Sequence, residues 1–187
     1  TVVEKPAFSI TNDTLICSID TLQLQALAGT GGTINWTPAY NINNTSSFSP
    51  LVSPDVTTTY TATYTDNSGC VGSDTVMVKV VNSVSLNLGS DTTICRTDAI
   101  VLNPESDGLS FIWSPTTGLS DPNIKNPIAT PLAASTTYKV IGRIGKCTKS
   151  DEITIKTVPY PVARASADTL ICLGGSAQLN VTGGSIY

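Results

Sequence analysis

The chain has 187 residues, of which 40% are hydrophobic and only 13% charged, with a net charge of −4 and no histidine. Disordered chains carry the opposite balance, so a buried core is expected. There is no cluster of Lys or Arg such as nucleic acid or an anionic membrane surface requires. No apolar run approaches the roughly 20 residues that cross a bilayer.

Taken in chain order, the segments read as strands. Phe8 and Ile10 alternate with polar residues and give a first strand, as do Leu86 and Leu88 further on. The Leu-rich run Leu22–Leu27 is the best helix candidate. Its counterpart, Ile100 and Leu102, alternates instead, so both read as a second strand. Ile34–Trp36 and Phe111–Trp113 give a third. A Pro-, Asn- and Ser-rich stretch follows, with turn signals at Asn43-Asn44 and Asp121-Pro122. Tyr60-Thr61-Ala62-Thr63-Tyr64 alternates as a strand with one solvated face, Asp66–Gly69 is a turn, and Val76, Val78 and Val80 form the last strand.

The series then repeats. Asp13-Thr14-Leu15-Ile16-Cys17 returns as Asp91-Thr92-Thr93-Ile94-Cys95 and as Asp168-Thr169-Leu170-Ile171-Cys172. Trp36-Thr37-Pro38 returns as Trp113-Ser114-Pro115, Thr58-Thr59-Tyr60 as Thr136-Thr137-Tyr138, and Gly69-Cys70 as Gly145-Lys146-Cys147. Pro50 and Pro54 match Pro127 and Pro131. A unit of about 77 residues in tandem predicts repeats over 1–81 and 82–158, and the truncated start of a third over 159–187. In the third, Gly183–Tyr187 echoes Gly31–Asn35. With no initiator Met and no signal peptide, the chain is expected to be a piece of a longer one. About seven short strands per unit, with Trp36, Trp113, Tyr60 and Tyr138 in the core, predict an all-β fold: tandem immunoglobulin-like sandwiches strung as beads. The cysteines lie outside the two facing central strands, unlike those of a true immunoglobulin domain.

The run Asp-Thr-x-Ile-Cys, then Gly-Gly-x-x-x-Trp-[Ser/Thr]-Pro, then Pro-x-x-[Ser/Thr]-Thr-Thr-Tyr, then Gly-Cys or Gly-x-Cys resembles the PKD-like and immunoglobulin-like repeats of giant Bacteroidetes cell-surface proteins, such as SprB-type gliding-motility adhesins. The second copy fits that pattern at Gly118-Leu119-Ser120 and Asn126-Pro127; the first departs from it at Asn41-Ile42-Asn43. The resemblance implies outer-membrane export by type IX secretion, surface display, and a part in adhesion or gliding.

Five cysteines are an odd count, and the repeat offers each complete copy one pair. Cys17–Cys70 and Cys95–Cys147 are the expected disulfides, with Cys172 left without a partner by truncation. Buried reduced thiols are the alternative; a zinc site lacks both Cys-x-x-Cys and histidine. Disulfides imply an oxidising, extracytoplasmic compartment.

No catalytic constellation stands out. The absence of histidine removes Ser-His-Asp and Cys-His chemistry, and the carboxylates are sparse. No enzyme and no cofactor are expected. Asp13, Asp91 and Asp168 read as caps on their own turns. Asp66, Asp74 and Asp121 are weak calcium candidates, without the dense oxygen spacing of a calcium loop. Asp-Thr pairs resemble the Bacteroidetes O-glycosylation signal, at Thr14, Thr21, Thr75, Thr92 and Thr169.

The expected role is therefore mechanical: an extracellular stalk or adhesive repeat in a large surface adhesin. Its partners are the neighbouring repeats of the same chain and polysaccharide or solid surfaces. A carbohydrate-binding module, with its site on Ala39–Phe48 or Thr116–Lys125, and a filament subunit are the alternatives. The junction Val158-Pro159-Tyr160-Pro161 predicts a semi-rigid link. Val81-Asn82-Ser83 lacks proline and is expected to bend more.

Overall fold

The alternating segments cannot bury their apolar faces singly, and the computed structural model shows how they are stacked. It describes residues 6–29 and 31–183, so the Gly184–Tyr187 part of the third echo lies outside it. Eight strands make the first sandwich: β1 (Phe8–Ile10), β2 (Thr14–Cys17), β3 (Leu22–Gln23), β4 (Ala26–Ala28), β5 (Thr33–Thr37), β6 (Leu51–Val52), β7 (Thr58–Thr65) and β8 (Val71–Val81). One layer is the sheet β2-β8-β7-β5. The other is built on the Leu22–Ala28 segment, which pairs with β6 through β3 and with β1 through β4.

The second sandwich repeats this plan with β9 (Leu86–Asn87), β10 (Thr92–Cys95), β11 (Ile100–Val101), β12 (Glu105–Ser106), β13 (Ser110–Ser114), β14 (Ile128–Ala129), β15 (Ser135–Ile144) and β16 (Cys147–Val158). Its sheet order is β10-β16-β15-β13, faced by the pairs β9-β12 and β11-β14. Beyond it, β17 (Arg164–Ala165) pairs with β18 (Val181–Thr182), both exposed. The Leu-rich helix candidate is thus the strand segment that the repeat predicts.

Each sandwich has its own core. Period-two alternation on β7 turns Tyr60, Ala62 and Tyr64 inward, and Val76 and Val78 of β8 meet them. Trp36 closes this core at 1% exposure, donating its indole N–H to the Ser47 carbonyl at 2.9 Å. Trp113 is equally buried and bonds the Ile124 carbonyl at 2.9 Å. Tyr60 and Tyr138 are fully buried, and their hydroxyls donate to the carbonyls of Tyr40 and Thr117 at 2.7 and 3.0 Å. Because Tyr60 is out of water, its phenol is pushed up to about 12. Tyr138 is raised for the same reason.

The segment Thr-x-Ile-Cys that follows the Asp is itself a strand in the first two copies. β2 runs parallel to β8, with Thr14 opposite Val78 and Cys17 opposite Val81; β10 pairs with β16 in the same way, Thr92 opposite Ile155 and Cys95 opposite Val158. The preceding Asp was expected to cap its own turn, and in the first two copies it bonds the neighbouring strand instead. Asp13 accepts the Met77 N–H at 2.8 Å and Asp91 the Thr154 N–H at 2.9 Å, both on the neighbouring last strand. Each carboxylate fixes where the parallel pairing starts. Asp168 of the third copy is exposed.

Candidate functional site: the junction between sandwiches

The register of β2 decides the fate of the cysteines. Cys17 lies beside Val81, the last residue of β8, whereas Cys70 immediately precedes Val71, the first. Eleven strand residues separate the two ends, a distance of roughly 35 Å at 3.3 Å per residue. A disulfide needs Cα atoms within about 7 Å. The expected Cys17–Cys70 bridge is therefore not formed. Cys95 and Cys147 stand at opposite ends of β16 for the same reason, and the expected Cys95–Cys147 bridge is not formed either.

Instead Cys17 is bonded to Cys147, with Cα atoms 5.5 Å apart and 130 residues apart in sequence. The bridge joins the far end of the first sandwich to the β15–β16 hairpin of the second. It is the disulfide found among the described residues, where Cys70, Cys95 and Cys172 carry free thiols.

Packing and hydrogen bonds surround the bridge. Cys17, Val84, Ile144 and Cys147 form a small apolar core of their own, backed by Leu15 and Val81. Asp20 then ties the two sandwiches together. One carboxylate oxygen accepts the Cys17 N–H at 2.9 Å within the first, and the other accepts the Lys146 N–H at 3.0 Å in the hairpin turn of the second. The Lys146 ammonium donates to the Ile19 carbonyl at 3.3 Å. Gly145 makes this approach possible. Its φ is +53°, and a β-carbon there would run into the Asp20 carboxylate. The junction expected to bend more is thus the one that is covalently closed.

The other sequence-singled residues are not brought together here. Asp66 accepts the N–H groups of Ser68 and Cys70, both at 2.8 Å, and Asp121 that of Asn123 at 2.8 Å; each organises its own loop. Asp74 accepts the neighbouring Thr75 N–H. Among the described residues no group of three or more Cys, Asp or Glu is placed to hold a metal ion. Thr21, Thr75 and Thr169 are exposed, while Thr14 and Thr92 are half-buried in β2 and β10. The indoles of Trp36 and Trp113 lie beneath the loops Ala39–Phe48 and Thr116–Lys125, closed to a stacking sugar. No described helix is long and apolar enough to cross a membrane.

No family model matches the chain, and no curated protein matches it. Solved structures share its outline at low identity. The insect immune protein hemolin is 13% identical with a TM-score of 0.37, the match covering 82% of this chain and 47% of that one. DIP-gamma Ig1+Ig2 is 12% identical at 0.39, covering 82% and 98%. The N-terminal four Ig domains of Dscam1 are 10% identical at 0.43, covering 79% and 43%. The chain thus spans about half of hemolin. At these scores the likenesses carry no argument about function. The immunoglobulin-like character rests on the two-layer strand order and on the buried Trp and Tyr in each core.

Proposed function

We propose that the chain is a load-bearing segment of an extracellular stalk, made of units over 1–81, 82–158 and the start of a third over 159–187. The observation that carries this reading is the closed junction. A disulfide, a small apolar core and the Asp20 contacts hold two sandwiches in series at a fixed point. A flexible tether has no use for such a device. A disulfide of this span, valued by chain entropy at about 5 kcal/mol, belongs in an oxidising compartment.

The resemblance to repeats of large bacterial surface proteins supports a finer reading: a non-enzymatic adhesin segment, exported across the outer membrane and serving surface attachment or gliding. Thr21 and Thr75 are the exposed candidates for O-glycosylation within the two sandwiches. Antibodies raised against residues 82–158 and applied to intact cells test this reading. Surface labelling is expected, together with a Cys17–Cys147 cross-linked peptide in the recovered protein. Labelling that needs permeabilised cells, or fully reduced cysteines, overturns it.

A further inference from the structure

The free cysteines Cys70 and Cys95 occupy the same positions in their sandwiches as the two bonded ones. Cys95 ends β10 beside Val158, as Cys17 ends β2 beside Val81. The backbone around them is the same. The Arg96 N–H donates to Val158 at 2.7 Å, as Ser18 does to Val81 at 2.9 Å. The Asp98 N–H donates to the Cys95 carbonyl at 3.1 Å, as Asp20 does to Cys17 at 2.9 Å. Asp98 therefore stands where Asp20 receives the hairpin, and the Tyr160 hydroxyl is bonded to its carboxylate.

What differs is the cover. The surface filled around Cys17 by Val84, Ile144 and Cys147 is at Cys95 an open groove lined by Thr93, Ile94, Cys95 and Val158. Val158 is left 41% exposed. At the other end of the molecule, Cys70 closes the β7–β8 hairpin loop, as Cys147 closes that of β15–β16. A residue of positive φ precedes each, Gly69 and Gly145. Beside Cys70, Val71 is 54% exposed.

We infer that Cys95 and Cys70 are the two open halves of the clamp seen at Cys17–Cys147. Cys95 takes the hairpin cysteine of a following unit, and Cys70 takes the first-sheet cysteine of a preceding one. Consecutive bridges then overlap in sequence, since Cys95 lies inside the loop closed by Cys17–Cys147. Each bridge forms by exchange with a small disulfide oxidant. The two thiols lose their protons and their sulfurs join, while the oxidant's S–S bond is reduced to two thiols. The inference rests on the serial stalk reading.

The test is a tandem chain in which residues 82–158 follow residue 158 once more, oxidised in a glutathione redox buffer and mapped without reduction. It holds Cys17, Cys70, two copies of Cys95 and two of Cys147. The expected map shows Cys17 bonded to the first Cys147 and the first Cys95 bonded to the second Cys147. Alkylation then labels Cys70 and the second Cys95. A map with Cys17–Cys147 intact and the first Cys95 alkylated overturns the inference and leaves the stalk reading standing. Loss of Cys17–Cys147 itself overturns both. In the Cys95→Ala variant at the first copy, the second Cys147 should become alkylated while Cys17–Cys147 persists. Its capture by Cys70 instead would also count against a position-specific clamp.

Discussion

Stretching a single molecule from its two ends reads the disulfide topology directly. The bridge short-circuits the backbone between Cys17 and Cys147, so tension passes from β2 through sulfur to β16. It never reaches β3–β15. Of 187 residues, the 130 spanned by the bridge are withheld, leaving 57 to extend. At 3.3–3.6 Å per residue this is a contour of about 200 Å. After reduction, or in Cys17→Ala, all 187 residues extend to about 650 Å. The gain on reduction is therefore about 450 Å. Bridges within each repeat would behave differently. Cys17–Cys70 and Cys95–Cys147 would withhold 53 and 52 residues, leaving 82 of the 187, a contour of about 290 Å. Atomic-force extension of the oxidised protein, with flanking handles as length markers, separates these values. An oxidised contour near 290 Å, or one that reductant does not lengthen, refutes the junction bridge.

Further outcomes test the packing around that bridge. Asp20→Ala removes the acceptor for the Cys17 and Lys146 N–H groups and should cost about 1 kcal/mol. It should also speed hydrogen exchange at Lys146; unchanged exchange there would show that the carboxylate does not tie the sandwiches. Gly145→Val places a branched side chain against Asp20 at a positive φ, and should slow oxidative formation of Cys17–Cys147 in a glutathione buffer, whereas Gly69→Val should not. Trp36→Ala empties the first core and should destabilise that sandwich by about 3–5 kcal/mol. Under reducing conditions the second, around Trp113, should keep its own melting transition. For pH, the sign follows from Tyr60. Its folded pKa of about 12 exceeds the ordinary 10.0 of a solvated phenol, so its contribution to stability is complete below pH 10. It is lost as pH rises towards 12, because unfolding releases a phenol that ionises. Urea melts between pH 9 and 12 should show the decline, and Tyr60→Phe should flatten it.

The strands and their inward faces were legible because period-two alternation and the 77-residue repeat constrain each other. Leu22–Leu27 alone is ambiguous between helix and strand. Its counterpart at Ile100 and Leu102 resolves it: the first segment pairs with β1 and β6, and the second pairs with β14 through β11 and with β9 through the following β12. The core aromatics followed from recurrence at one register, and their buried N–H and O–H groups found carbonyls across the loops. A four-residue strand such as Thr14–Cys17 shows too little alternation to declare itself, and an Asp before it looks like a turn cap. That single unread strand concealed the junction.

The disulfide pairing turns on the same strand. Counting cysteines per repeat allots two to each unit and makes the intramolecular pair within a unit look natural. Counting cannot tell which end of the sandwich each one occupies. A cysteine segment antiparallel to the last strand would bring Cys17 to the Val71 end, next to Cys70. Running parallel, it carries Cys17 to the Val81 end, where the chain leaves for the next sandwich. In a tandem array the residue nearest that end, apart from the linker, is the hairpin tip of the following unit. At this junction the cysteine at the hairpin tip of one unit thus pairs with the one at the end of the parallel strand of the unit before it, with a reach of one junction. Strand direction, more than cysteine count, decides that this bridge joins one sandwich to the next.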